Sequence, residues 1–193
     1  KFLFPAEFHA QTAAEAAISI SNKLKGRIDE IEEILISTQE PGVRIISKKG
    51  PLTNYADRDH CIEYIVAWCL INGNLSSDSY SDEAAMDENI DILRNITRTI
   101  EDKKYTEKYY DLSERAIPNK VRVKLKCGET FEEEVLYPLG HKKRRDESKP
   151  FLREKFCKSI ENKDFDKAKL ISFYDENDLD SINIYDLLDK IYK

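Results

Sequence analysis

Tyr55-Ala-Asp-Arg-Asp-His-Cys-Ile-Glu-Tyr-Ile-Val-Ala-Trp-Cys-Leu-Ile-Asn-Gly73 begins with charged, proton-handling side chains and runs directly into apolar ones. Ile62, Ile65, Val66, Cys69 and Leu70 recur at the spacing of one helical face, and Asn72-Gly73 supplies a stop. A carboxylate from Asp57 or Asp59 would accept orphan backbone N–H groups at the start and complement the positive end of the helix dipole. Arg58, His60 and Tyr64 fall in the first turns, and the spacing predicts that His60 and Tyr64 share a face. A cation, an imidazole and a phenol at one helix start suit the binding and protonation of a polycarboxylate. The plainer alternative is a capped core helix whose histidine and tyrosine only satisfy hydrogen bonds.

Upstream, Pro5 forbids an early helix, so residues 1–8 read as extended. His9 to Lys25 forms a helix closed by Gly26, with Ala13, Ala16 and Ala17 giving it a small face for close packing. Residues 28–38 are β-rich, and Ile34-Leu-Ile36 resembles a buried strand. Glu40-Pro41-Gly42 then reads as a turn into a second short strand, Val43–Ser47.

Downstream, Asn74–Ser81 is a Ser/Asp-rich loop. Asp87 caps a helix with Ile90, Leu93, Arg94 and Thr97 on one side, and Thr97–Glu101 reads as a strand. Residues 102–118 are polar and tyrosine-rich, which suggests loop with one short turn. The clearest hairpin follows. Val121, Val123 and Leu125 alternate with Arg122, Lys124 and Lys126, Cys127-Gly128-Glu129 turns, and Phe131 to Tyr137 returns. Basic residues on one strand and Glu132 and Glu134 on the other suit cross-strand pairing. Beyond Pro150, apolar residues at 151–156, 168–173 and 184–191 read as three short helices, with Asp180-Ser181 as a cap. The fold class is therefore α+β: a mixed helix/sheet module over residues 1–145, then a helical tail over 146–193.

Composition narrows the function. The 193 residues are 35% charged and 40% hydrophobic, which suits a mixed-charge globular chain. A net charge of −6 argues against nucleic acid as a partner, since phosphate binding wants a basic face. No apolar run approaches the roughly 20 residues that span a bilayer, and nothing at the start reads as a signal peptide. Cys61, Cys69, Cys127 and Cys157 form no CxxC pair, so reduced thiols in a cytosol-like compartment are expected. Three histidines and dispersed cysteines make a metal or iron–sulfur site from this chain alone an unfavourable reading, and no cofactor is expected.

Three stretches carry a resemblance. Phe4-Pro5-Ala6-Glu7-Phe8-His9-Ala10-Gln11-Thr12-Ala13, Gly50-Pro51-Leu52 through Asp57-Arg58-Asp59-His60-Cys61, and Tyr137-Pro138-Leu139-Gly140-His141-Lys142-Lys143-Arg144-Arg145 together resemble the MmgE/PrpD family. The resemblance covers only the carboxyl-terminal part of that family's longer chain. With Lys1 rather than Met at the start, a fragment is expected. It implies an α+β lid over 1–145, and a tail over 146–193 that belongs with an amino-terminal helical domain not contained in this chain.

The implied chemistry is cluster-free removal of water from 2-methylcitrate in propionate catabolism, in the cytoplasm or, in a eukaryote, the mitochondrial matrix. The implied parent is a homodimer. Dehydration needs a base for a proton alpha to a carboxylate, an acid for the leaving hydroxyl and cations for the carboxylates. The resemblance points to Tyr64, His60, His9 and Lys1 as catalytic candidates. Arg58, Glu7 and Arg144 are the substrate-binding candidates. Arg58 is the natural bidentate clamp, whereas the His141–Arg145 cluster is read first as bracing a domain interface. Other acid/base groups of the family lie in the amino-terminal domain, so the chain alone is expected to be inactive. Two other readings stay open: a non-catalytic carboxylate-binding or subunit-pairing module, and a family member acting on citrate or cis-aconitate.

Overall fold

The computed structural model describes residues 3–161, 163, 164, 166–176, 183–186 and 188. Lys1, the Asp180-Ser181 cap and half of the third tail helix lie outside the described residues. Two compact units divide the chain, Lys1–Arg145 and Asp146–Lys193.

The first unit begins with a 3₁₀ turn, Phe8–Ala10, leading into α1 (Gln11–Leu24). Strand β1 (Ile31–Thr38) follows, then three helices, α2 (Glu40–Ile46), α3 (Tyr55–Asp59) and α4 (Ile62–Asn72). After a 3₁₀ turn at Ser77–Tyr80 come α5 (Glu88–Asn95), β2 (Thr97–Glu101) and α6 (Lys103–Tyr110). The hairpin β3 (Asn119–Leu125) and β4 (Thr130–Val135) completes a sheet of order β2-β1-β3-β4. β1 runs parallel to β2 and antiparallel to β3. This is the α+β class that the sequence indicates.

Period-two burial orients the sheet. Ile34 and Ile36 of β1, and Val121, Val123 and Leu125 of β3, face a core shared with α1 and α4. Ala13, Ala14, Ala16 and Ala17 of α1 are all wholly buried, so the small side chains permit the close packing expected of them. On the opposite face, Lys120 stands across from Glu134 and Arg122 from Glu132, and Lys120 Nζ lies 3.6 Å from Glu132 Oε1. Lys124 instead reaches Glu32 of β1, at 2.8 Å.

Four local expectations are corrected. Residues 40–46 form a helix rather than a turn and a strand. Pro41 occupies the first turn, where its missing N–H costs nothing, and Val43 N donates to Gln39 O at 3.2 Å. The central stretch is two helices, not one. Asn54, rather than either aspartate, caps α3 by accepting from Asp57 N, and α4 has no side-chain cap. Because the chain breaks at His60-Cys61, His60 and Tyr64 do not share a helical face. Residues 103–110 are helix, capped by Asp102, which accepts from Lys104 N at 2.9 Å. Gly73 does end α4 in a left-handed conformation, with its N–H on Cys69 O at 2.9 Å.

Glu63 links these elements. It is wholly buried on α4, and its carboxylate accepts from Ser47 Oγ at 2.6 Å, Lys48 N at 3.1 Å and Thr99 Oγ1 at 2.7 Å. The expected result of Glu63→Gln is a loss of about 1–2 kcal/mol, because an amide N–H₂ would face a donor in place of an acceptor. Urea unfolding followed by circular dichroism measures it, and an unchanged midpoint would show that these three bonds do not hold the fold.

The second unit holds α7 (Arg145–Ile160) and α8 (Lys167–Glu176). Here the fourth correction falls, since α7 starts before Pro150 and runs through it. Asp146 and Glu147 in its first turn favour a start at that point. Arg153 grips Asp175 through Nε at 2.8 Å and Nη2 at 2.7 Å, and Phe156 stacks on Tyr174 at 4.8 Å. Residues 184–186 are helical.

Candidate active site

Glu7 and His9 are brought together by the turn between Pro5 and α1. Gln11 Nε2 folds back onto Phe4 O at 3.0 Å and Ala6 O at 2.9 Å, and Asn119 Nδ2 donates to His9 O at 2.7 Å. The sequence motif thus fixes its own acid/base pair: Gln11 and Asn119 serve geometry, Glu7 and His9 carry the titratable groups. Glu7 Oε2 accepts from His9 N at 2.7 Å, and Glu7 Oε1 lies 3.0 Å from His9 Nδ1. His9 Nε2 lies 3.2 Å from the hydroxyl of Tyr109 on α6, and the two rings are 5.6 Å apart.

Burial alone would raise the Glu7 carboxyl, but its hydrogen bonds from His9 outweigh that and hold it below its ordinary 4.5. Ionised Glu7 can only accept, so Nδ1 carries the imidazole hydrogen and Nε2 accepts from Tyr109. Burial raises the Tyr109 phenol, which therefore keeps its proton at neutral pH. The result is a carboxylate–imidazole–phenol chain in which His9 Nε2 can take up the Tyr109 proton.

Tyr109 was not legible as a functional residue, because its segment reads as polar loop. The available signal was the spacing of Tyr105 and Tyr109, four apart on one helical face. Tyr105 is buried with its hydroxyl on Glu134 of β4, which turns Tyr109 toward His9.

Asp59 ties His60 to the Glu7 end of this chain. Glu7 N donates to Asp59 O at 3.1 Å, and Asp59 Oδ1 holds His60 Nδ1. The His60 side chain is 46% exposed, which leaves its other nitrogen within reach of a ligand.

Arg58 and Tyr64 meet elsewhere, on the Ser79–Asp82 loop. Arg58 is 4% exposed, and it donates to Tyr80 O and to the Asp82 carboxylate. Tyr64 OH donates to Ser79 O at 2.8 Å, and burial pushes its phenol up to about 12. Both side chains line a cavity of about 40 Å³ with Asp91 and Arg94. As built, their donors position a loop.

Arg144 grips Glu15 of α1 with two bonds, at 3.0 and 2.8 Å, and donates to Tyr137 O at 2.7 Å. That is a brace within the first unit. His141 stacks on Tyr137 at 4.8 Å, and burial followed by the charges of Lys142 and Lys143 lowers its basicity.

Among the described residues, no group of three or more His, Cys, Asp or Glu side chains could hold a metal ion. Cys61 is buried against Glu63, and burial pushes its thiol up to about 11, so it is not a nucleophile at neutral pH. Among the same residues, no helix is long and apolar enough to cross a membrane.

The first unit is thus an α+β domain in which a buried imidazole links a carboxylate to a phenol. Residues 4–169 match the MmgE/PrpD C-terminal domain, and the chain belongs to the MmgE/PrpD family. It is 51% identical over 164 residues to the mitochondrial 2-methylcitrate dehydratase of Yarrowia lipolytica, covering 83% of this chain and 32% of that protein. It is 48% identical over 164 residues to the probable 2-methylcitrate dehydratase of Saccharomyces cerevisiae, with the same coverage. To the 2-methylcitrate dehydratase of Escherichia coli K12 it is 45% identical over 160 residues, 81% of this chain and 33% of the relative. The chain spans about a third of the length of the curated relatives it matches.

Proposed function

We propose that this chain is the carboxyl-terminal part of a 2-methylcitrate dehydratase, a hydro-lyase that removes water from 2-methylcitrate to give 2-methyl-cis-aconitate. Residues 1–145 are its lid, and 146–193 belong to a helical domain completed by amino-terminal residues outside this chain. The observation that carries this reading is the identity of 45–51% to proteins named for that reaction. The family match over residues 4–169 contains Glu7, His9, Arg58, His60, Tyr64, Tyr109 and Arg144. The reading goes with a cytoplasmic protein, or one of the mitochondrial matrix in a eukaryote, and with a homodimeric parent.

Dehydration moves one proton off carbon and one onto the departing hydroxyl. Tyr109, its hydroxyl proton drawn to His9 Nε2 against ionised Glu7, takes the first, while exposed His60 binds the substrate or protonates the departing hydroxyl. Arg58 and Tyr64 act by fixing the 79–82 loop, Arg144 by bracing α1. The family's remaining acid/base groups lie in the missing domain, and Lys1 keeps only the role that the resemblance gives it.

The test joins this chain to the amino-terminal part of the Yarrowia lipolytica relative and follows absorbance of the unsaturated product. The chimera is expected to turn over 2-methylcitrate, and the chain alone is not. A folded chimera that prefers citrate, or that is inert, overturns the assignment. Turnover by the isolated chain at a few per cent of the chimera's rate overturns the split site.

A further inference from the structure

A cavity of about 200 Å³ opens between the 48–51 turn and the last turn of α5, lined there by Asp91, Arg94 and Asn95. Its wall carries Lys48, Lys49 and Arg94 against the single carboxylate of Asp91. At about 30 Å³ for each water in the liquid, the space equals six or seven waters, the size of a phosphate or a small carboxylic acid. We propose that this cavity binds a small multivalent oxyanion, phosphate or carboxylate, through Lys48, Lys49 and Arg94.

Arg94 is the fixed part of the site. Its side chain is 10% exposed, Nη1 is held by Asp91 and Nη2 donates to Gly50 O at 2.9 Å. Its Nε–H is buried without a hydrogen-bond partner, which is the arrangement of a cation still owed an acceptor. Gly50 adopts φ +88°, a conformation that lets the turn bring its carbonyl onto Arg94 and leaves open space where a side chain would stand.

The lysines are the adjustable part. Lys49 Nζ donates to Thr97 O at 2.9 Å, which spends one of its three hydrogens. Lys48 Nζ lies 3.6 Å from Asp57 Oδ1, a loose pair between half-exposed groups. Asp91 is 68% exposed and can turn to solvent when an anion enters. The carboxyl end of α5 opposes an anion with about half a charge, less than the surplus of cations. Nothing in this argument depends on the dehydratase reading, since the site lies within one compact unit of the chain.

The experiment titrates the chain itself with inorganic phosphate and, in a second arm, citrate, at ionic strength held constant with chloride. Amide NMR shifts and calorimetry read the binding. Saturable 1:1 binding in at least one arm is expected, with Kd on the order of 1 mM and shifts at Gly50 and Asn95. The arm that binds more tightly names the ligand chemistry. Lys48→Gln and Lys49→Gln are each expected to raise Kd about fivefold or more while the remaining amide spectrum is kept. Lys103→Gln, on α6, is expected to leave it unchanged. No saturable binding by the unmutated chain in either arm overturns the proposal. So does a Kd that neither lysine variant moves.

Discussion

His9→Asn in the assembled enzyme is expected to lower kcat roughly 10²–10⁴-fold with little change in KM. The asparagine amide can still donate to Glu7 and hold the turn, but nothing then stands at Nε2 to exchange a proton with Tyr109. Tyr109→Phe keeps the ring beside His9 and removes only the hydroxyl, 3.2 Å from Nε2. It is expected to lose a similar factor. The double variant should cost little more than either single one, because a broken relay cannot be broken twice. Independent, multiplying losses would show that His9 and Tyr109 act on the substrate separately. Near-normal kcat in folded Tyr109→Phe would remove it from the mechanism.

The same chain has a stability signature with a definite sign. Glu7 titrates lower in the fold than in the unfolded chain. Its contribution is therefore fully present above pH 4.5 and is lost as pH falls through the lower folded value. Glu7→Gln should flatten this part of the acid limb in urea midpoints measured from pH 6 to pH 3.

The sequence showed most of the elements wherever a side-chain period was strong. The alternation through Val121, Val123 and Leu125 and the alanine face of α1 each bury a face that the period defines, while the apolar run of α4 is buried nearly all round. Two elements were illegible because their helices answer to other signals. α2 carries Val43, Ile45 and Ile46, yet Pro41 in its first turn and the bond from Val43 N to Gln39 O decide the conformation. In α6 the buried groups are tyrosines, whose hydroxyls keep the segment polar in composition while Tyr105 anchors it. The site followed suit. Glu7 and His9 were named from their motif, but their partner Tyr109 lies 100 residues further on and only the fold could supply it. The break at His60-Cys61 separated two side chains that helical spacing had paired.

Arg58→Ala is expected to destabilise the chain by about 2–4 kcal/mol, read by urea unfolding, with faster amide exchange confined at first to residues 79–82. The arginine is nearly buried, and its loss strips Tyr80 O of a donor while leaving a void beside Tyr64 and Arg94. Asp82 adds little to the cost because its side chain is 80% exposed and rehydrates. Arg58→Lys cannot span both acceptors, so it should recover less than half of the loss. Tyr64→Phe removes one hydrogen bond, to Ser79 O, and should cost only about 1 kcal/mol. Its mark is instead on alkaline stability. The buried phenol titrates at about 12 rather than its ordinary 10. The stability it contributes is whole below pH 10 and is lost as pH rises through about 12. Tyr64→Phe should therefore reduce the fall in urea midpoint between pH 9.5 and pH 11.5, with Tyr80 and Tyr105 among the other groups that burial raises and that contribute to it. If Tyr64→Phe keeps most of kcat in the assembled enzyme while Arg58→Ala loses both stability and activity, the pair holds a loop. A loss of 10²-fold or more in kcat by stable Tyr64→Phe would show instead that the phenol leaves Ser79 to meet the substrate.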